Sequence, residues 1–203
     1  ATYGKPEQVL PPRQRVLRDL QGWMLAVAAN GGGIVGAYTL GKAQEVVAAA
    51  NAAGLRPAVS DEVGEVCDIY VAHNVPLEYD RFSTLTPEQR AAPGLLVTSS
   101  TATSGRRPDA VVLELRQRGA HTARVSGWCA FAPWALRGVD AGFPMSDHAD
   151  FTGLMDFVEA CAPQQVYTVH GAQRELAREI EKRLDIPARP LPERDEMTLE
   201  EFT

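Results

Sequence analysis

Short apolar runs that end in a turn and lead into a helix recur along the chain, and this alternation constrains its fold most. The run Gly33–Tyr38 is followed by a turn at Gly41 and by an alanine-rich stretch to about Ala53. Runs at Cys67–Val71 and Gly94–Thr98 begin two further units of this kind. Because buried parallel strands read as continuous apolar runs joined by helical crossovers, this order predicts an α/β fold with a mainly parallel sheet.

Further elements flank these three units. Apolar residues three or four positions apart predict a helix between Pro12 and Asn30. The polar loop Ser99–Arg107 leads into a predicted helix, Pro108–Arg118, and a strand, Thr122–Val125. After an irregular stretch at residues 130–144, the predicted elements are a helix that follows Asp150 and ends at Cys161, a strand at Gln165–Val169, a helix from Gly171 to about Leu184 and a short strand after Pro187.

Composition limits the classes of protein that fit this pattern. The chain has 203 residues, 45% of them hydrophobic, which is enough for a sizeable core. A net charge of −6 lacks the overall basic character of many nucleic-acid binders, so any nucleic-acid contact must be local. No segment predicts a membrane span or a signal peptide, and we expect a cytoplasmic protein that does not bind membranes. The three cysteines contain no C-x-x-C pair and are expected to be buried, reduced thiols.

Two of the four histidines lie where a site is expected. His148 and His170 each stand at a junction between a loop or strand end and a helix, whereas His73 and His121 do not. Open α/β sheets place their sites at the carboxyl ends of strands. On spacing alone, a surface or core role for both histidines stays open, because histidine is intermediate in burial.

The sequences around these two histidines resemble the closing motifs of β-CASP nucleases of the metallo-β-lactamase fold. That group includes ribonuclease J and the endonuclease that forms mRNA 3′ ends. The matching stretches are Ser146–Phe151 and Val166–Gly171, and Ala1–Gly4 and Tyr38–Glu45 resemble motifs that come earlier in the family. Val125–Trp128, running on to Arg137–Asp140, is most similar to DNA-ligase-associated exonucleases and archaeal processing-factor homologues.

The resemblance implies an architecture and an activity. Residues 1–4 would end a metallo-β-lactamase strand, residues 5–145 would form a Rossmann-like β-CASP domain, and residues 146–203 would be the C-terminal βα elements of an αββα domain. The implied activity is zinc-dependent hydrolysis of phosphodiester bonds in RNA or single-stranded DNA, of the RNA 3′-end processing type. The cleavage could be internal or from an end.

The resemblance also assigns roles to single residues. The histidine of the S-x-H-x-D motif, His148, would donate a proton to the leaving oxygen, and Asp150 of the same motif would support it without touching substrate. The histidine of the V-H-G motif, His170, would ligate one of two zinc ions. Imidazole suits both roles, since it exchanges protons near neutral pH and is a common zinc ligand.

The family's H-x-H-x-D-H signature, a further histidine and a bridging aspartate would all precede Ala1, and the sequence contains none of them. We therefore expect an N-terminal metallo-β-lactamase segment to act in cis or in trans. The chain alone is expected to hold no zinc pair and to be inactive. The rival hypothesis is a non-catalytic module that binds nucleic acid or a partner protein. Retention of both His148 and His170 favours the nuclease.

Substrate contacts are predicted in the loop that follows the run Gly94–Thr98. Ser99, Ser100 and Thr101 offer hydroxyl and backbone N–H groups to phosphates, and Arg106 and Arg107 add charge. An ordinary polar connection explains the same residues.

Two other features carry weaker substrate hypotheses. Lys42 begins a helix, where its charge conflicts with the helix dipole, which suggests an anionic partner or simply a solvated lysine. Trp128, Phe131 and Trp134 could stack on bases or pack against other parts of the protein. From Ser146 onward we expect an exposed apolar surface and an open sheet edge, and therefore self-association.

Overall fold

The computed structural model describes residues 2–103 and 108–191. The chain forms two compact units. One is Pro11–Ser146, and the other combines Ala1–Leu10 with Asp147–Thr203. The domain boundaries predicted from the sequence, at residues 5 and 146, stay a prediction.

The larger unit contains five α-helices and six strands within its described residues. The helices are α1 (Arg13–Ala28), α2 (Lys42–Ala52), α3 (Asp61–Ala72), α4 (Pro87–Ala91) and α5 (Ala110–Gln117). The strands are β1 (Gly33–Ala37), β2 (Ala58–Val59), β3 (Asp80–Arg81), β4 (Leu95–Ser99), β5 (His121–Val125) and β6 (Ala141–Phe143). Within residues 2–103 and 108–191, no helix is both long and apolar enough to cross a membrane.

The six strands form one sheet in the order β3-β2-β4-β1-β5-β6, and each of its pairs is parallel. Strand β1 lies at the centre, with Val35 opposite Val97 of β4 and Ala123 of β5. All five residues of β1 and of β4 are buried, as expected for strands covered on both faces. The predicted α/β class with a mainly parallel sheet is confirmed.

Alternate residues of the central strands enter two different cores. Val35 and Val97 pack with the buried faces of α1, α2 and α3. Ile34 and Leu96, one position away in each strand, pack with α5 on the opposite face. The period of two along a strand therefore places a helical layer on each side of the sheet.

One predicted strand is wrong. Cys67–Val71 lies in helix α3, and the strand of that unit is the two-residue β2, Ala58–Val59. The buried residues of α3 are Val63, Gly64 and Cys67, and Cys67 follows the other two by four and three positions, whereas Ile69 is 58% exposed. A short apolar run does not distinguish strand from helix, and the helical spacing around it was decisive here.

The stretch predicted as irregular, residues 130–144, also contains order that the sequence did not indicate. Short 3₁₀ helices cover Gly127–Ala130 and Pro133–Leu136, and β6 adds a sixth strand beside β5. Asp140 fixes this edge, because its Oδ2 accepts hydrogen bonds from the backbone N–H and the hydroxyl of Thr122 at 2.7 and 2.9 Å.

The smaller unit follows the predicted order of elements. It comprises α6 (Phe151–Cys161), β7 (Val166–Thr168), α7 (Gln173–Leu184) and β8 (Ala188–Pro190). Strands β7 and β8 pair in parallel. Apolar residues of α6 and α7 form its core, among them Phe151, Met155 and Ile180.

The cysteines only partly follow the expectation of buried thiols. Cys67 is buried, and burial raises the pKa of its thiol. Cys129 is half-buried and Cys161 is exposed.

Candidate functional site

His148 lies in the segment just before α6 and is exposed. Its ring meets the ring of Tyr3 edge-on, with centroids 6.3 Å apart and planes at 77°. Tyr3 is only 2% exposed, so it offers a fixed surface to the imidazole. The ring of His148 thus packs against a fixed surface, while the residue itself is accessible to solvent.

Asp150, two residues later, anchors this segment. Its Oδ1 accepts a hydrogen bond from the backbone N–H of Gly153 and so caps α6, while its Oδ2 accepts one from the backbone N–H of Leu10. The backbone N–H of Phe151 in turn donates to the carbonyl oxygen of Gln8. These bonds tie the backbone that follows His148 to the segment Gln8–Leu10, and the support of His148 by Asp150 stays a prediction.

His170 follows β7 and is also exposed. Its φ is +61°, in the left-handed region that is unfavourable for residues with a Cβ, and Gly171 follows with a φ of +53°. Such strain in a non-glycine residue occurs often at functional sites and supports the hypothesis that this side chain has a role. Thr168 secures the turn, because its hydroxyl donates to the carbonyl oxygen of Gln173.

The described residues do not by themselves fit a zinc pair. Across residues 2–103 and 108–191, no three His, Cys, Asp or Glu side chains are grouped so that they could hold a metal ion. A catalytic zinc ion takes about three protein ligands. His170 could be one of them, and no reaction step is assigned to zinc from these residues.

The predicted substrate loop is folded largely upon itself. The hydroxyls of Ser99 and Thr101 lie 2.9 Å apart, and the hydroxyl of Thr103 donates to the carbonyl oxygen of Ser100. The backbone N–H of Ser100 donates to the carbonyl oxygen of Ala37 at the end of β1. Contact of Ser99, Ser100 and Thr101 with phosphate stays a prediction. Arg106 and Arg107 lie outside the described residues.

Lys42 is 3% exposed, and its Nζ lies 2.6 Å from Glu45 Oε2. Glu45 also accepts a hydrogen bond from Arg13. The carboxylate of Glu45 thus compensates the conflict between Lys42 and the helix dipole, three residues along the same helix. A role for Lys42 in binding an anion stays a prediction.

The predicted aromatic residues show packing. The rings of Trp128 and Trp134 lie 5.9 Å apart at 43°, and Trp134 is 53% exposed. Stacking of a nucleobase on these residues or on Phe131 stays a prediction.

The structure also shows a cavity that the sequence did not predict. It has a volume of about 560 Å³ and lies beyond the carboxyl ends of β2 and β4; we call it the β2–β4 cavity. Ser60, Asp61, Phe82 and Asp109 line it, together with Ser99 and Thr101 of the predicted loop. The carboxyl ends of parallel strands are where open α/β sheets bind ligands. The cavity could not be predicted from the sequence, because it lies at the end of β2 and the sequence predicted the strand of that unit at a different position.

Comparison with known proteins relates the chain to a class of hydrolases. Residues 142–189 match the family model described as the Zn-dependent metallo-hydrolase RNA specificity domain. A protein of Opitutus terrae named "Probable DNA ligase" is 30% identical over 185 residues, which are 90% of this chain and 17% of that protein. The chain thus spans less than a fifth of the relative's length. Together the matches support a relationship to the metallo-β-lactamase family, without distinguishing the β-CASP subtype.

Proposed function

We propose that the chain is the C-terminal portion of a β-CASP nuclease, which hydrolyses phosphodiester bonds of RNA or single-stranded DNA and processes RNA 3′ ends or DNA ends. In this proposal His148 donates a proton to the leaving oxygen and His170 is one zinc ligand. The other ligands come from an N-terminal metallo-β-lactamase segment in cis or in trans. A cytoplasmic location stays a prediction.

One observation carries the proposal. The segment that matches the metallo-hydrolase model, residues 142–189, contains both His148 and His170. Both side chains are exposed, and His170 has the strained backbone expected of a functional residue. The model's description points to RNA and the relative's name to DNA, so both nucleic acids belong in the test.

The test compares four histidine variants. Two forms are purified: the chain alone, and the chain fused to the segment encoded in frame upstream of Ala1. Each form is incubated with end-labelled RNA or single-stranded DNA, with and without a chelator. We expect the joined protein to cleave one of them, and His148→Ala to slow cleavage at least about a hundredfold, as removal of a general acid does. His170→Ala should lower both cleavage and the zinc content measured by elemental analysis.

His73→Ala and His121→Ala are the matched controls, because both histidines are exposed and lie outside residues 142–189. Cleavage that survives His148→Ala would contradict the assignment of the proton donor. Tight binding of nucleic acid without cleavage by any form would favour the rival hypothesis of a non-catalytic module. About two zinc ions retained by the isolated chain after dialysis would show that the ligand argument is wrong.

A further inference from the structure

We propose that the β2–β4 cavity binds one unpaired nucleobase, and that it favours bases with an exocyclic amino group over thymine. The inference rests on the proposed function in one respect, namely that the base belongs to a bound nucleic acid. All residues of this site belong to the larger unit. The site would contact the base of a nucleotide, whereas the contacts predicted from the sequence were to its phosphate.

The dimensions and lining of the cavity suit a flat, partly apolar ligand. Its volume of about 560 Å³ lies within the usual range for small-molecule sites. Leu96 and Val112 supply apolar surface, and Phe82 is a half-buried aromatic ring at the wall. Stacking on an aromatic ring favours every base and contributes substantially to binding of single strands.

Hydrogen-bond acceptors in the wall supply the selectivity. Asp61 Oδ1 accepts a hydrogen bond from the hydroxyl of Ser83, and Asp109 Oδ1 accepts one from the backbone N–H of Val111. The second oxygen of each carboxylate has no partner among the residues that the structure describes. An ionised carboxylate only accepts, so both oxygens match the exocyclic amino group of adenine, cytosine or guanine, which offers two N–H donors, whereas thymine offers only its ring N3–H.

An unsatisfied hydroxyl gives independent support. Ser60 lines the cavity at the start of α3, and its Oγ is buried without a hydrogen-bond partner within the described part of the chain. A buried polar group without a partner is costly and therefore uncommon. A hydroxyl can donate and accept, so it could meet either kind of polar atom on the edge of a base.

The charges of the lining argue against two other ligands, a phosphate and a metal ion. Asp61, Glu62 and Asp109 line the cavity, and the negative charges of these three side chains disfavour a phosphate beside them. The acidic side chains also do not form a metal-holding group within residues 2–103 and 108–191. Separate acceptors around an aromatic wall are better matched by a neutral ring with several donors.

Fluorescence anisotropy on short single-stranded homopolymers tests the proposal with the full chain. The labelled strands are oligo-dA, oligo-dC, oligo-dT and an abasic strand of equal length. We expect oligo-dA and oligo-dC to bind about tenfold more tightly than oligo-dT. Phe82→Leu should weaken binding of all three base-bearing strands about tenfold and leave the abasic strand unchanged.

Asp109→Asn tests the acceptor directly. Asparagine caps a helix about as well as aspartate, but it turns the second acceptor into a donor, so the preference for oligo-dA and oligo-dC should disappear. Glu65→Gln, an exposed residue of α3 outside the lining, removes the same charge and should leave the preference intact.

The outcomes separate this inference from the proposed function. Equal binding of all four strands, or an unchanged preference in Asp109→Asn, would overturn the base cavity and leave the nuclease proposal standing. If no strand binds, NMR spectra of the chain with adenosine decide the matter. Shifts of the Thr98 and Ser99 amides that Phe82→Leu abolishes would support the cavity while counting against nucleic-acid binding. Spectra without such shifts would overturn the cavity as well.

Discussion

The Oδ2 oxygen of Asp150 accepts a 2.8 Å hydrogen bond from the backbone N–H of Leu10, a residue 140 positions earlier in the chain. The same carboxylate caps α6 through Gly153. One side chain therefore joins the segment before Pro11 to the helix that follows His148. A residue that stabilises the fold therefore lies two positions after the proposed proton donor, His148.

Replacement of Asp150 should loosen the smaller unit. Asp150→Ala removes a helix cap and a second hydrogen bond to a charged acceptor, and we expect a loss of about 2 kcal/mol in the free energy of unfolding. Hydrogen exchange at the amides of Leu10 and Gly153 should accelerate as well. Urea unfolding and exchange measured by NMR check this, with Asp156→Ala, an exposed aspartate on the same helix, as the control. Equal stability of the two variants would contradict the anchoring role.

The left-handed backbone at His170 predicts an unusual order of stability. Glycine adopts a positive φ without steric cost, so His170→Gly should be more stable than His170→Ala by about 1 kcal/mol. In helix interiors the order of glycine and alanine is the reverse. Chemical unfolding of the two variants checks this. If alanine proves the more stable, the strain at His170 is absent in solution.

The sequence predicted elements best where burial follows a long, regular pattern. Helix α1 was predicted because Val16, Leu20 and Met24 repeat at helical spacing and are all buried. Strand β2 was missed because two residues carry no periodicity, and the apolar run that follows proved to be the end of α3.

The candidate site was only partly predictable for a related reason. His148 and His170 stand within short local motifs, whereas the wall of the β2–β4 cavity combines residues as distant as Ser60 and Asp109. Their meeting depends on the strand order β3-β2-β4, which local sequence does not encode. The ion pair of Lys42 with Glu45 could have been predicted from the sequence, because residues three positions apart on a helix are neighbours.

Asp140 should give the larger unit a measurable sensitivity to acid. Burial acts to raise the pKa of Asp140, but hydrogen bonds from Thr122 and the charges of Arg116 and His121 outweigh it and hold the pKa below its ordinary value. A lowered folded-state pKa stabilises the protein above the unfolded-state pKa of about 4, and this contribution is lost as the pH falls further.

Asp140→Asn should therefore be less stable than the wild type by about 0.5–1 kcal/mol at neutral pH, a modest value because the residue is exposed. The difference should shrink below about pH 4. Thermal unfolding across a pH series measures it, with Glu65→Gln as the control for loss of one charge. A difference that does not change with pH would mean that the ionised form of Asp140 is not favoured by folding.

The smaller unit exposes apolar side chains, as the sequence predicted, and this surface should drive self-association. Phe157 on α6 is 67% exposed, and Tyr167 and Val169 beside β7 are 46% and 41% exposed. Among the described strands, β7 pairs only with β8. Open edges and apolar patches of this kind tend to pair with another chain.

We expect light scattering to give a mass that rises above the 22.0 kDa monomer as concentration increases. Phe157→Asp removes the most exposed aromatic side chain of this surface and adds charge, and should weaken association about tenfold or more. Ile69→Asp is the matched control, because Ile69 is 58% exposed on α3 of the larger unit. If both variants behave alike, association does not use the surface around α6 and β7. If the wild type stays monomeric at every concentration, that surface does not drive self-association.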